Sequence, residues 1–194
     1  MPDFPSINVF IGLGSNLGDR RTHLEQAITL LSRSAIQIEQ VSSIYESKPY
    51  MGMKQPDYYN LVVRASTTFS PELLLQQCLK VESLMGRVRT YKWAPRIVDI
   101  DILLYGNQIW NSDNLNIPHP DFQNRGFVMA PLNEISPEWI DPVTGKSLGQ
   151  LWKRWAASHV DEIPTLSSAL LFSQELKHPS ALPSNGLLFA EQTV

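Results

Sequence analysis

Residues 70–86, "SPELLLQQCLKVESLMG", form a helix with both ends written into the chain. Ser70 can cap the first turn, Pro71 suits the first helical position, Glu72 favours the positive end, and Gly86 stops the run. On either side the apolar residues switch to a period of two. In "DYYNLVVRASTTF" (57–69), Leu61, Val63 and Ala65 alternate with Val62 and Arg64. In "KWAPRIVDIDILLYG" (92–106), Val98, Ile100, Ile102 and Leu104 alternate with Ile97, Asp99, Asp101 and Leu103. Both flanks therefore read as strands.

The upstream chain extends this pattern. "INVFIGLG" (7–14) reads as a strand running into a glycine turn, and "GDRRTHLEQAITLLSRS" (18–34) as a helix with Leu24, Ala27, Ile28 and Leu31 on one face. "AIQIEQVSSIYES" (35–47) alternates as one further strand. The order strand-helix-strand-strand-helix-strand is that of a ferredoxin-like α+β sandwich, a mainly antiparallel sheet covered by helices. A short strand around "QIW" (108–110), a loop and two short helices complete a domain of residues 1–156. From 157 to 194 the chain is rich in Ser and Pro without sustained periodicity, and is expected to be a C-terminal extension, largely a disordered tail.

Bulk properties narrow the function. With 194 residues the chain suits a single domain, and its net charge of −3 argues against a general polyanion binder. Cys78 is the only cysteine, which excludes internal disulfides and any multi-Cys metal site; its helical setting predicts a core residue. "MPDFPSINVF" lacks a basic region followed by an apolar run, and no window approaches ~18 apolar residues. A cytoplasmic protein without a membrane span is expected.

The chemistry concentrates around residue 99. Asp99 and Asp101 share one face of an otherwise apolar strand, about 7 Å apart at the backbone. Like charges that close repel unless a cation compensates them. Arg87, Arg89, Lys92 and Arg96 crowd the preceding segment, which holds no acid, and guanidinium forks match phosphate oxygens. Two Mg²⁺ ions roughly 3.5–4 Å apart would fit between such carboxylates. Carboxylates for metal and arginines for phosphates are what a Mg-triphosphate needs. The competing reading makes the aspartates an exposed face, or partners for Arg87 and Arg96.

Three further segments matter. "GLGSNLGDR" has neither dinucleotide-binding nor P-loop spacing. In "IPHPDFQNRGF" (117–127), His119 lies between prolines and can donate to a phosphate or cap a turn, and Arg125 precedes Gly126. Tyr58 and Asn60 sit two apart on one strand face; with Trp93 and Phe127 they supply planes and an amide for a flat heterocycle. No His, Cys or Glu spacing suggests zinc.

"FIGLGSNLGDR", "QPDYYN", "GRVR", "KWAPRIVDIDILLYG" and "IPHPDFQNRGF" together resemble, in order and spacing, 6-hydroxymethyl-7,8-dihydropterin pyrophosphokinase of folate biosynthesis, over residues 7–153. The resemblance implies that ATP donates its β,γ-pyrophosphoryl group to the pterin hydroxymethyl oxygen and leaves as AMP. It implies that Asp99 and Asp101 hold two Mg²⁺ ions arriving with ATP. Arg87, Arg96, His119 and Arg125 would meet the triphosphate, with Glu82 and Ile102 beside the nucleotide. Arg89 and Trp93 would belong to a mobile loop that closes over the site. Asn60 would read the pterin edge, Tyr58 and Phe127 would flank the ring, and Ser47 and Pro49 would face it. ATP and the pterin are then the partners of a monomer that binds neither nucleic acid nor membrane. The residues alone leave open a kinase releasing ADP, or an RNA-recognition module on the same sandwich.

Overall fold

The computed structural model of the chain describes residues 5–49, 52–88, 91 and 94–168. Its elements are β1 (Ile7–Ser15), α1 (Arg20–Ser32), β2 (Ile36–Val41), β3 (Ile44–Ser47), β4 (Tyr58–Thr67), α2 (Pro71–Leu84), β5 (Asp99–Tyr105), β6 (Trp110–Asn111), β7 (Asn116–Ile117), α3 (Gly126–Ile135), α4 (Leu148–Ser158) and β8 (Thr165–Ser168). The main sheet runs β5-β1-β4-β3-β8, with β2 also on β4, and every pairing is antiparallel. This is the expected α+β sandwich.

Helices α1 and α2 begin where side chains stop them from fraying. Asp19 accepts the Thr22 amide at 3.1 Å ahead of α1, and Ser70 accepts the Leu73 amide at 3.3 Å ahead of α2. Helices α1 and α2 bury Leu24, Ala27, Ile28, Leu31, Leu74, Cys78 and Val81 against the inward residues of β1, β4 and β5. On the opposite face of the sheet, α3 and α4 cover Phe10, Val62, Leu103 and Leu104 with Met129, Leu132, Leu148 and Leu151. Apolar residues on both sheet faces follow from this three-layer arrangement. Among the described residues no helix is long and apolar enough to cross a membrane.

Four expectations change. Segment 35–47 is two strands, because the Ser42 hydroxyl takes the Val62 amide at 2.9 Å and interrupts the ladder between β2 and β3. The glycine turn is strand: β1 stays paired on both edges through Gly14. A register shift between β1 and β5 makes Leu103 a bulge, so Leu104 turns to the α3–α4 core rather than joining Ile100 and Ile102. The bulge's carbonyl accepts the His119 amide at 2.9 Å, which ties that loop to β5.

The fourth change concerns the start of the expected tail. Helix α4 runs to Ser158, and β8 then pairs with β3 at Ile44, Tyr45 and Glu46. Residues 157–168 are thus part of the fold, because β3 would otherwise leave an open sheet edge. Residues 169–194 lie outside the described residues.

Candidate active site

Two rows cross the adjacent strands β4, β1 and β5. Asn60, Gly14 and Asp99 lie abreast on β4, β1 and β5, and so do Val62, Gly12 and Asp101. The two glycines remove the middle side chain from each row. What remains is a flat backbone floor with an amide on one side and carboxylates on the other. Neither glycine has positive φ, so space explains them rather than conformation. A Cβ at Gly14 would stand 3.2 Å from Asn60 Oδ1, and one at Gly12 would stand 3.3 Å from Leu103 Cδ1. Gly14→Val is therefore expected to fold while weakening binding of a flat ligand by at least about tenfold. Equilibrium binding of the ligand measures it.

Above this floor lies a cleft. Ser47, Tyr58, Asn60 and Phe127 line it, with Lys48, Met53 and Leu103, which the sequence reading did not single out. The Asn60 amide donates to Ser47 Oγ at 3.0 Å, so its carbonyl end faces Gly14. Pro49 is buried but does not line the cleft. Trp93 lies outside the described residues, as does Arg89.

A second, larger and more open cavity adjoins the first, between α2 and the segments at residues 91, 94–96 and 112–115. Glu82, Arg87 and His119 line it. Arg96, Asp99, Asp101 and Arg125 line both cavities and form their common wall. Carboxylates and guanidinium groups thus stand where one compartment meets the other.

The wall is electrostatically connected. Asp99 accepts Arg87 Nη1 at 2.6 Å and Arg96 Nη2 at 2.6 Å. The reading of the aspartates as arginine partners therefore holds for Asp99 in this state. Arg87 is also held by Glu82, which is 3% exposed and accepts the Ile100 amide at 2.9 Å. Glu82 fixes Arg87 to β5 from beneath. Asp101 has a different setting: burial first, then the Asp99 charge, push its carboxyl up to about 7. Among the described residues no group of three His, Cys, Asp or Glu forms a cation cage.

Arg96 is placed through its backbone. Its amide donates to Asn16 Oδ1 at 2.8 Å, its carbonyl accepts the Asn16 amide at 3.2 Å, and Asn16 Nδ2 reaches Gln55 at 3.2 Å. The role of Asn16 was not visible in sequence, since its partners lie 39 to 80 residues away. His119 Nδ1 accepts the Asp121 amide at 3.2 Å, which leaves Nε2 to carry the proton. Burial, then Arg125, hold the His119 pKa below the ordinary imidazole value, so the ring is a neutral donor at pH 7. Arg125 pairs with Asp121 at 3.2 Å and lies 6.0 Å from the Phe127 ring centre. Ile102 is not brought to either cavity. Strand alternation points it into the core beside α1 and α2.

A sequence profile of the 7,8-dihydro-6-hydroxymethylpterin-pyrophosphokinase family matches residues 10–137, which contain every wall and cleft residue named above. The chain belongs to this family. The 2-amino-4-hydroxy-6-hydroxymethyldihydropteridine pyrophosphokinase of Synechocystis is 43% identical over 152 residues, 77% of each chain. The enzyme of the same name from Aquifex aeolicus is 41% identical over 140 residues, 72% of this chain and 87% of that one. Among solved structures, the wild-type HPPK-DHPS of Plasmodium falciparum with pteroate superposes with a TM-score of 0.67 at 16% identity. That match covers 84% of this chain but only 44% of the longer Plasmodium chain, and it shows the pyrophosphokinase fold.

Proposed function

We propose that the chain performs its family's reaction at the two joined cavities. It transfers the β,γ-pyrophosphoryl group of ATP to the hydroxymethyl group of 6-hydroxymethyl-7,8-dihydropterin and releases AMP, in folate biosynthesis. The observation that carries this assignment is the shared wall: Arg96, Asp99, Asp101 and Arg125 face both the flat-floored cleft and the open cavity. A reaction that joins a planar acceptor to a polyphosphate donor needs its charged groups at that boundary.

The pterin lies in the cleft on the Gly12–Gly14 floor, its edge read by Asn60, with Ser47, Tyr58 and Phe127 around the ring. ATP occupies the open cavity, where Arg87, Arg96 and Arg125 bind and orient the triphosphate and neutral His119 donates from Nε2 to a phosphate oxygen. The hydroxymethyl oxygen bonds to the β-phosphorus as that atom's bond to the α-phosphate oxygen breaks, so AMP leaves, and the hydroxyl proton passes to Asp99 or to water. Side chains need form no covalent bond; alignment and charge neutralisation carry the rate.

Mg²⁺ fits the aspartates. They are two carboxylates on one strand face, and among the described residues no third acidic, thiol or imidazole side chain joins them in a cation cage, so the remaining ligands would be phosphate oxygens and water. When bound, such an ion neutralises charge on the transferring group. Asp99 and Asp101 would hold two ions delivered with ATP. Titration with Mn²⁺ as a paramagnetic substitute tests this. Weak binding by the protein alone, and two ions per chain with α,β-methylene-ATP present, is the expected result. One ion or none under the second condition contradicts it.

A further inference from the structure

We propose that Arg20, the first residue of α1, is a positioning residue for the pterin half of the site, an inference that rests on the function proposed above. Its Nη1 donates to Glu46 Oε1 at 2.8 Å and to the Asp57 carbonyl at 2.6 Å. The guanidinium carbon lies 3.7 Å from the centre of the Tyr59 ring, close enough for a cation–π contact. These three residues share a property that spacing alone would not reveal. Glu46 immediately precedes Ser47, Asp57 immediately precedes Tyr58, and Tyr59 lies between Tyr58 and Asn60. Each of these three contacts is therefore one residue away from a side chain that lines the cleft.

Consecutive residues of extended chain point to opposite faces. Arg20 thus works from behind the sheet and does not line the cleft. It joins β3 to the start of β4 from a firm post, since α1 is held in the core by Leu24, Ala27, Ile28 and Leu31. The need for such a post is plain from the geometry. Strand β3 has four residues, and only Tyr45, Glu46 and Ser47 pair with β4. The loop that leaves it returns to β4 at Tyr58, and the Lys48–Asp57 ion pair at 2.7 Å and the Asn16–Gln55 hydrogen bond tie it further. Arginine suits the task because its planar guanidinium can stack on the Tyr59 ring while Nη1 donates to two oxygens at its edge; the ammonium of lysine is not planar and cannot stack.

The test is steady-state kinetics of Arg20→Met and Arg20→Lys, with each substrate varied in turn. The expected result is a rise in KM for the pterin of about tenfold in Arg20→Met. Arg20→Lys, which keeps the Glu46 pair, should show a smaller rise. In both variants kcat and KM for ATP should stay within about twofold of wild type, because no Arg20 contact reaches the arginine and aspartate wall. Unchanged pterin KM, or a parallel rise in both KM values, overturns the proposal. If Arg20→Met fails to fold, Arg20→Lys alone decides by the same split. Failure of the underlying function is distinguishable, since the wild-type chain would then show no pterin-dependent turnover at all.

Discussion

Asp101→Asn will lower kcat by at least about a thousandfold while making the chain more stable at neutral pH in metal-free buffer. The two effects have one cause. Asp101 sits in the same strand face as Asp99, and burial and that neighbouring charge raise its carboxyl from 3.8 to about 7. A folded state with the raised pKa holds a proton that the unfolded chain has already released. Stability due to this group is therefore full below about pH 4 and falls as pH rises through about 7. An amide at 101 removes that loss and also the charge that the proposed metal requires. Thermal unfolding in EDTA at pH 5 and pH 8, alongside kcat, measures both. The variant should melt higher than wild type at pH 8, with the gap closing at pH 5. Near-normal activity would remove Asp101 from the metal site, and a lower melting point at pH 8 would contradict the electrostatic account.

Gly126→Ala is expected to cost about 2–3 kcal/mol of stability, a large effect for one methyl group. A Cβ there would stand 2.1 Å from Trp155 Cη2 and 2.6 Å from Cζ3. The indole has little room to yield. It is buried, with Trp152 stacked at 5.6 Å on centroids and His159 at 4.6 Å. The start of α3 must move instead, and it carries Arg125 and Phe127 on either side of the glycine. Pterin KM should therefore rise together with the loss of stability. Adding Trp155→Leu to the same chain should recover part of both, because it removes the obstructing ring. A double-mutant cycle with chemical denaturation checks the coupling, and strictly additive effects would rule out this contact as the cause.

The readability of these features in sequence followed their range. Helix α2 was legible from its caps, and the alternation of Leu61, Val63 and Ala65 placed β4 correctly, because both signals are local. The Asp99–Asp101 pair was visible as chemistry out of place on an apolar strand. Gly12 and Gly14 of "GLGSNLGDR" read as a turn in sequence, since only the pairing of β1 with β4 and β5 shows that they form a floor. The bulge at Leu103 has no local signature, and it shifted Leu104 to the other face. Ile102 followed the strand period into the core although family resemblance set it beside the nucleotide. The contacts of Asn16, Glu82 and Arg20 were illegible for another reason: each joins segments that only the folded sheet brings together.

The most direct test of the central claim is separation of nucleotides after incubating the purified chain with Mg²⁺, ATP and 6-hydroxymethyl-7,8-dihydropterin. The account predicts AMP, formed one for one with pterin consumed and only when the pterin is present. ADP in place of AMP would contradict it, since the site would then transfer one phosphoryl group rather than two.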